Sequence, residues 1–336
     1  MPRYTGIPAS RHLASCYFGG FMKIAVIGLN WGRVHLSACR ELGHEVTAVV
    51  SRDMEKCRRI ADEYGIPGRY QSVTELPGSG FDIVSVAVPA AQHYEVLMEL
   101  QKRSCGIVCE KPVLGFRGTP EMYRELSGDI FFNYAYPFLQ DIDIFYRKLE
   151  AMGHIRHIDI ECLYHLDLNT RFTAEEYFYE TVSHPVSLMI HKLQDVVSAA
   201  RTGSSEILAQ TASGTELRIV CREDLSLSGI RHRVTVTGSE ARNAAGDDAA
   251  PNILRLTGEF VTGSPWHYQP LEYSGKPISE EHFPEADPWY TANKASLSNL
   301  LRFFAGEQSR EETLRNGAFD LRKAMIAENI LSCLKA

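Results

Sequence analysis

Long apolar runs and basic clusters are both missing from this sequence. No window approaches the roughly 18 uninterrupted apolar residues that a membrane-spanning helix needs. The formal net charge is −7, from 35 Lys and Arg against 42 Asp and Glu, and no basic patch stands out against it. Nucleic-acid-binding domains carry such patches. We therefore expect no membrane span and no nucleic-acid partner.

Cysteine-pairing and secretion signals are also missing. The eight cysteines are scattered, with no C-x-x-C pair, which favours reduced thiols and a cytoplasmic protein. Residues 1–21 lack the apolar core of a signal peptide. Because Met22 stands directly before the first apolar run, we expect the natural start there and a poorly ordered extension over 1–21.

The first half of the chain alternates between strand-like and helical patterns. Apolar strands are predicted at 23–27, 44–50, 81–88, 106–109 and 130–133, and helices between them, including 53–64 with Asp53 as N-cap and Gly65 as its end. Such alternation produces βαβ units and a parallel, doubly wound sheet. We predict an α/β Rossmann domain over 22–137.

The second half shows runs of strands without this alternation. Strands are predicted at 155–164, 206–211, 216–221, 230–237 and 252–260, and helices at 138–152, 185–200, 289–304 and 311–334. This order indicates an α+β domain with an open, mostly antiparallel sheet over 138–336. We expect this domain to bind substrate and to join subunits into a homodimer or homotetramer through its sheet.

A glycine turn separates the first strand from the first helix. It reads Gly28-Leu29-Asn30-Trp31-Gly32, one residue shorter than the G-x-G-x-x-G turn that binds a dinucleotide pyrophosphate. The first turn of a helix carries unpaired N–H groups, and glycines let a diphosphate approach them. Asn30 stands in a glycine slot, and asparagine tolerates left-handed backbone better than most residues. We therefore predict a tight dinucleotide-binding turn.

The end of the second strand indicates which dinucleotide binds. NAD-preferring enzymes place Asp or Glu there, and its carboxylate accepts a hydrogen bond from the ribose 2′-hydroxyl. Here the residues are Ser51 and Arg52, a hydroxyl and a guanidinium suited to a 2′-phosphate. We predict NADP(H) in preference to NAD(H); the alternative is a solvated loop arginine.

Three motifs together give the chain a resemblance to a known family. They are Gly28, Gly32 and His35 in GLNWGRVH, Pro89 and His93 in VPAAQH, and the tetrad Cys109-Glu110-Lys111-Pro112, about 80 residues after the turn. In these motifs the chain resembles the Gfo/Idh/MocA oxidoreductases. The resemblance implies that Pro89, His93 and Glu110 lie at the cofactor and that Lys111 contacts the reacting hydroxyl and shuttles protons. His35 and His93 are expected to be structural or cofactor-edge residues, not catalysts.

The family also carries a D-x-x-x-H pair on a later helix, and this chain departs from it. Two alignments remain open. Glu180 and His184 keep a carboxylate four residues before a histidine, whereas Ser187 and His191 fit the expected helix better but replace the carboxylate by a hydroxyl. Seven residues return to nearly the same helix face, so one histidine could face the nicotinamide. We prefer His191, with His184 as the alternative.

A narrower resemblance concerns the segment after the last Rossmann strand. The shortened turn and the sequence Asn133 to Leu139, NYAYPFL, are similar to thiazolinyl imine reductases of siderophore biosynthesis. It implies Tyr136 as a proton donor; the alternative is a packing aromatic. That branch carries histidine where this chain has Lys111.

Three functions follow as hypotheses. The leading one is an NAD(P)-dependent oxidoreductase acting on a hydroxyl or carbonyl of a small polar substrate such as a sugar or cyclitol. The second is a thiazolinyl imine reductase. The third is a non-catalytic cofactor-binding sensor or scaffold, because the Asp of D-x-x-x-H is missing and the glycine turn is altered. No metal site is expected.

Overall fold

The structure is a computed structural model whose contacts divide the chain into two units. Among the described residues, the first unit contains those up to Ala135 together with Ala292–Met325, and the second contains those within Tyr136–Thr291 and those from Ile326. No helix in the described part of the chain is long and apolar enough to cross a membrane. The described residues are 21–139, 142–165, 173–190, 192–193, 195–203, 205–238, 252–261, 266–279 and 287–335.

The first unit is built on a parallel sheet in the order β6-β5-β4-β1-β2-β3. Its centre is a buried run of Val, Ile and Ala, as expected for a sheet covered on both faces. The predicted Rossmann fold is confirmed. The strands are β1 (Lys23–Ile27), β2 (Glu45–Val50), β3 (Gly68–Tyr70), β4 (Ile83–Val86), β5 (Gly106–Glu110) and β6 (Ile130–Asn133).

Helices connect these strands, and their ends follow local sequence signals. The Asp53 side chain accepts from the Lys56 amide at 2.9 Å, which confirms the predicted N-cap, and Gly65 ends the same helix in left-handed backbone. The helices are α1 (Gly32–Glu41), α2 (Met54–Tyr64), α3 (His93–Leu100) and α4 (Pro120–Glu125), with 3₁₀ turns at Val73–Glu75, Ala90–Gln92 and Gly115–Arg117.

The second unit contains the open, mostly antiparallel sheet that the sequence predicted. Its order is β15-β14-β12-β11-β7-β10-β9-β8, with β13 paired to β12; β7 and β10 run parallel. After a 3₁₀ turn at Tyr136–Phe138 come α5 (Ile142–Ala151), β7 (Ile155–Tyr164), α6 (Ala174–Met189), β8 (Val196–Gly203), β9 (Glu206–Thr211), β10 (Glu216–Glu223), β11 (Gly229–Gly238), β12 (Ile253–Val261), β13 (His267–Tyr268), β14 (Glu272–Tyr273) and β15 (Lys276–Pro277).

The bounds predicted for the helix over 185–200 are wrong, although residues 185–189 are helical. Helix α6 begins eleven residues earlier, at Ala174, and Pro185 lies inside it; 196–200 belong to β8. A capping box sets the start: the Thr173 hydroxyl accepts from the Glu176 amide at 3.2 Å, and the Glu176 carboxylate accepts from the Thr173 amide at 3.1 Å. The capping-box signal T-x-x-E at Thr173 is visible in the sequence, whereas Pro185 suggests a later start because proline is common in the first turn of a helix.

The predicted final helix over 311–334 is interrupted. Gly317 takes φ +99°, and the next residues form a strand that pairs antiparallel with β6. The closing elements are α7 (Pro288–Phe304), α8 (Arg310–Arg315), β16 (Phe319–Asp320) and α9 (Leu321–Leu331), followed by a 3₁₀ turn at Ser332–Lys335.

The segment Ala292–Met325 therefore lies with the first unit, unlike the predicted boundary, which left all of 138–336 in the second domain. Leu297, Leu300 and Phe304 share one buried cluster with Ile24 of β1. A Cβ on Gly106 would lie 2.3 Å from the Phe304 ring, so the helix packs directly on β5. The apolar face of α7 therefore packs against the parallel sheet of the first unit.

Polar anchors complete this attachment. The Arg310 guanidinium donates to Asp129 at 2.9 Å and to Asp320 at 3.0 Å. The buried Lys323 ammonium donates to the carbonyls of Leu314 and Ala318 at 3.0 Å each. Burial lowers the pKa of Lys323 to about 8, although the Asp320 carboxylate opposes this.

Lys323 makes a testable contribution to the pH dependence of stability. Its pKa in the folded chain lies below the value of about 10.4 in an unfolded chain, so the unfolded state binds the extra proton between these values and stability rises with pH there. From pH 7.5 to 10, the free energy of unfolding of the wild type should gain about 2 kcal/mol relative to Lys323→Met. Urea unfolding at both pH values measures this; a constant difference would contradict it.

Candidate functional site

The turn after β1 is held by backbone contacts that admit no side chain. The Gly28 amide donates to the Val50 carbonyl at 2.9 Å, and Gly28 takes φ +88°. A Cβ there would lie 2.5 Å from the Ala87 carbonyl oxygen. Glycine is therefore required for both conformation and space. The turn lies between the carboxyl ends of β2 and β4 and leads into the N-terminus of α1.

Asn30 does not take the left-handed backbone that its place in a glycine slot suggested. Among the described non-glycine residues, Ser274 alone has a positive φ, so Asn30 is not in left-handed backbone. Its side-chain oxygen instead accepts from the Lys56 ammonium. Trp31 is the helical N-cap of α1, with no side-chain capping bond and 43% of its surface exposed. Gly28 alone supplies the positive φ, which is why a shortened turn suffices.

Ser51 and Arg52 follow β2 directly beside this turn. The Ser51 amide donates to the Tyr70 carbonyl at 3.0 Å, which fixes the backbone at the end of the strand. Arg52 is exposed, and its carbonyl lies 3.5 Å from the Gln71 amide nitrogen. Because Gly28 bonds to Val50, the two predicted 2′-phosphate residues stand next to the predicted pyrophosphate turn.

His93 joins the loops that follow β4 and β5. Its Nε2 lies 2.9 Å from the Val88 carbonyl oxygen, and its Nδ1 lies 3.0 Å from the carbonyl oxygens of Pro112 and Val113. The ring is fully buried. Pro89 follows Val88 and starts the 3₁₀ turn that leads into α3. His93 therefore ties the loop of Pro89 to the loop that carries Lys111.

Glu110 ends β5 as a mostly buried carboxylate. His35 Nε2 lies 2.6 Å from its Oε1, and the Asn133 amide donates to the same oxygen at 2.7 Å. Burial raises the pKa of the Glu110 carboxyl, but the hydrogen bonds from His35 and Asn133 and the charge of Lys111 oppose it, and the net effect is a lowered pKa. Glu110 is therefore an ionised carboxylate at neutral pH.

Lys111 follows Glu110 at the carboxyl edge of the sheet and is half-buried. In open α/β folds, ligands bind at this edge. The structure thus brings the predicted residues Gly28, Ser51, His93, Glu110 and Lys111 to one edge of one sheet. An ammonium next to a fixed carboxylate can donate a proton to a substrate oxygen or take one from it.

The edge has the features that a nicotinamide dinucleotide requires. The position of a Gly28 Cβ is blocked, so the turn stays bare and its backbone open to a diphosphate. Helix α1 begins four residues later, at Gly32, and the N-terminus of a helix presents backbone N–H groups that suit an anion. Gly28 and Gly32 would hold the diphosphate, Ser51 and Arg52 the adenosine ribose, and Glu110 and Lys111 the nicotinamide end.

A second group of functional candidates lies within the second unit. The Tyr136 ring centroid is 5.9 Å from that of His184, and Tyr136 is fully buried. Burial and the neighbouring Tyr268 raise the pKa of the Tyr136 phenol well above 10, so the phenol keeps its proton. Tyr136 is thus a packed aromatic side chain whose phenol keeps a proton that it can donate.

Of the two alternative histidines, the structure describes His184 only. His184 lies on α6, half-buried, with its ring 4.9 Å from that of Trp289. Glu180 lies one turn earlier on the same helix, also half-buried. Ser187 is buried, and its hydroxyl donates to the His184 carbonyl. His191 lies outside the described residues.

Sequence reasoning missed the rest of this aromatic cluster, which also contains His232, Trp266, Tyr268 and Trp289. His232 pairs with Gly258 across β11 and β12. A Cβ on Gly258 would lie 2.4 Å from the Trp266 ring, so glycine makes room for the indole. The alternation of β11 was a usable signal, since it places His232 on the same inward face as Val234 and Val236.

A concavity of about 600 Å³ lies elsewhere, on the charged face of the second unit's sheet. Its arginines are paired across strands: Arg218 with Asp159 at 3.0 Å and Arg233 with Glu161 at 3.0 Å. Paired surface charges of this kind indicate a solvated sheet face, not a catalytic centre.

Comparisons with known proteins agree with this geometry. Residues 22–127 match the family model described as oxidoreductase family, NAD-binding Rossmann fold. The chain is 26% identical over 136 residues to trans-1,2-dihydrobenzene-1,2-diol dehydrogenase of Xenopus tropicalis, covering 38% of this chain and 41% of that protein. It is 31% identical over 94 residues to scyllo-inositol 2-dehydrogenase (NADP(+)) IolU of Bacillus subtilis, covering 27% and 29%. These matches thus span less than half of each relative's length.

Solved structures extend the likeness to the whole fold. The WlbA dehydrogenase of Bordetella pertussis, solved with NADH and UDP-GlcNAcA, superposes with a TM-score of 0.67 at 14% identity, over 93% of this chain and 94% of that one. At this identity the match shows the fold alone. Residues 22–127 therefore match the Gfo/Idh/MocA oxidoreductase family model, and the chain shares its fold with the WlbA dehydrogenase over nearly its whole length.

Proposed function

We propose that the protein is an oxidoreductase that uses NADP(H) in preference to NAD(H) and acts on a hydroxyl or carbonyl group of a small polar substrate, such as a sugar or cyclitol. The observation that carries this proposal is the placing of Lys111 beside the ionised Glu110, on the same sheet edge as the Gly28 turn. The nicotinamide cofactor, when bound, supplies or accepts the hydride.

The chain's own residues provide the proton that must accompany the hydride. In reduction, the Lys111 ammonium donates a proton to the oxygen of the substrate carbonyl; in oxidation, the neutral amine accepts the hydroxyl proton. Glu110 stays ionised and offers Lys111 a fixed opposite charge in the protonated state. His93 restrains the loop by its contacts with Pro112 and Val113.

Two observations favour NADP(H). Ser51 and Arg52 occupy the position where an acidic residue would bind the ribose 2′-hydroxyl of NAD, and Arg52 is exposed and available to a phosphate. The relative from Bacillus subtilis carries NADP(+) in its name, as does a D-xylose dehydrogenase of Haloferax volcanii. Sugar and cyclitol substrates are proposed on the names of the same relatives.

A second candidate is reduction of a cyclic imine, and one observation favours it. Tyr136 is a protonated phenol in contact with the ring of His184, within a cluster of aromatic side chains. A neutral phenol of this kind can donate to an imine nitrogen, and aromatic walls suit a flat heterocycle. A panel of ketoses, inososes and cyclic imines with NADPH separates the two candidates.

Replacement of Lys111 tests its role in catalysis. Lys111→Ala should lower kcat by about 100-fold or more on any substrate found, because general acid–base groups contribute that much, while NADPH binding stays nearly unchanged. Steady-state kinetics and cofactor titration measure both. The exposed Lys102 provides a matched control, since Lys102→Ala should leave both unchanged.

Persistent turnover in Lys111→Ala would show that the assigned role is wrong. Tight binding of NADPH without turnover of any panel member by the wild type would instead favour the non-catalytic sensor or scaffold.

Replacement of Arg52 tests the cofactor preference. Arg52→Asp should weaken NADPH binding by about 10- to 100-fold and leave NADH binding equal or tighter, because a charge-assisted contact with the 2′-phosphate is lost and an acceptor for the ribose hydroxyls is gained. Dissociation constants for both cofactors provide the measurement. Arg58→Ser, on the exposed face of α2, is the control. An unchanged NADPH-to-NADH ratio in Arg52→Asp would refute the proposed phosphate contact.

A further inference from the structure

A chain of polar side chains crosses the interior of the first unit and ends beside Lys111. Ser85 Oγ lies 2.6 Å from His35 Nδ1, and His35 Nε2 lies 2.6 Å from Glu110 Oε1. Asn133 donates to Glu110 Oε1 at 2.7 Å and to Asn293 Oδ1 at 2.6 Å. These residues come from β4, α1, β5, β6 and α7. Five separate elements thus contribute to the orientation of one carboxylate.

The direction of each hydrogen bond follows from the carboxylate. An ionised carboxylate only accepts, so the proton between His35 and Glu110 belongs to His35 Nε2. For the same reason Asn133 must present its amide nitrogen to Glu110, and Asn293 its oxygen to Asn133. The Ser85 hydroxyl lies 2.6 Å from the other ring nitrogen of His35, and it can bond either form of that nitrogen because a hydroxyl both donates and accepts.

Both donors engage the same oxygen of Glu110. His35 and Asn133 bind Oε1, and no described residue hydrogen-bonds Oε2. The Glu110 side chain is 12% exposed, so the carboxylate is not completely enclosed by the protein. Two interior side chains therefore hold Glu110 through Oε1, and Oε2 accepts no hydrogen bond from a described residue.

The groups that face Glu110 include three that titrate. They are His35 from α1, Lys111 in the same loop, and Cys109, whose thiol pKa is raised by burial and by the Glu110 charge. Packed elements β4, β6 and α7 contribute Ser85, Asn133 and Asn293, which do not titrate. His35 is thus the interior titratable group bonded directly to the carboxylate.

We propose that His35 is a positioning residue for the proton-transfer site: its hydrogen bond holds the Glu110 carboxylate in one orientation next to Lys111. The inference rests on the proposed function of Lys111. It goes beyond that function, because it assigns a role to a side chain that reaches the edge only through another residue.

Packing alone gives a poor explanation of His35. Its neighbours on the buried face of α1, Leu36, Ala38 and Cys39, are apolar or nearly so. A buried imidazole needs partners for both nitrogens, whereas an apolar residue would fill the same space without that requirement. The matched contacts at both nitrogens hold Glu110 in place, and this is what an apolar residue could not do.

Two substitutions of His35 separate positioning from packing. His35→Leu keeps the volume and removes both contacts; kcat should fall by about 10- to 100-fold with KM changed by less than about 3-fold, the range expected for losing a hydrogen bond to a charged group. His35→Gln restores an amide donor near the position of Nε2, so kcat should recover to within about 5-fold of the wild type.

The pH profile of kcat/KM separates positioning from packing, because a purely structural role of His35 would leave that profile unchanged. Loss of His35 removes a contact that lowers the pKa of Glu110, so that pKa rises. The acid limb of kcat/KM should therefore move to higher pH in His35→Leu and remain near the wild type in His35→Gln. Asn133→Leu, which removes the other donor to Oε1, should move it in the same direction and serves if His35→Leu does not fold.

Cys39→Ala is the matched control, because it loosens the same helix without contacting the carboxylate. It should lower thermal stability but leave the acid limb unchanged. A folded His35→Leu or Asn133→Leu with wild-type kcat and acid limb would overturn the inference. If Lys111→Ala loses turnover while these variants do not, the inference alone fails; if Lys111→Ala is fully active, the proposed function fails.

Discussion

The close approach of Gly28 to the Ala87 carbonyl is the contact on which the rest of the edge depends. A side chain at Gly28 would need the space of that oxygen, 2.5 Å away, and the Gly28 amide is at the same time bonded to β2. The turn is therefore held between two neighbouring strands. It sets where α1 begins, and α1 in turn carries His35 to Ser85 and Glu110. Cofactor turn and proton-transfer site thus share one backbone constraint.

Two buried side chains that can carry a proton, one in each unit, differ in protonation state. In the first, hydrogen bonds and the charge of Lys111 keep the buried Glu110 ionised. In the second, burial beside Tyr268 keeps the Tyr136 phenol neutral. Burial disfavours the charged form in both cases, and the difference lies in the partners that surround each group. In the proposed reactions, a carbonyl substrate would take its proton from Lys111 next to Glu110, whereas an imine would take its proton from the neutral Tyr136 phenol.

Local signals in the sequence predicted much of this fold, and tertiary choices account for the misses. Apolar runs, Asp53 and Gly65 identified strands and caps, because these depend on neighbouring residues alone. The placing of α7 and β16 on the first unit depends on an apolar face finding a distant partner, which periodicity does not encode. Proline favours the first turn of a helix over its interior, so the local signal at Pro185 indicated a helix start, whereas the capping box at Thr173 sets the actual start of α6. At the candidate site, motif residues could be named in advance, whereas Ser85, Asn133 and His232 required strand register.

The most direct test of the account is cofactor binding at the Gly28 turn in the wild-type protein. Trp31 is 43% exposed next to this turn, so bound NADPH should quench its emission and accept its excitation energy. Titration of the wild type should give saturable quenching, with a smaller dissociation constant for NADPH than for NADH. Absence of saturable binding of either cofactor to the folded wild type would contradict the account.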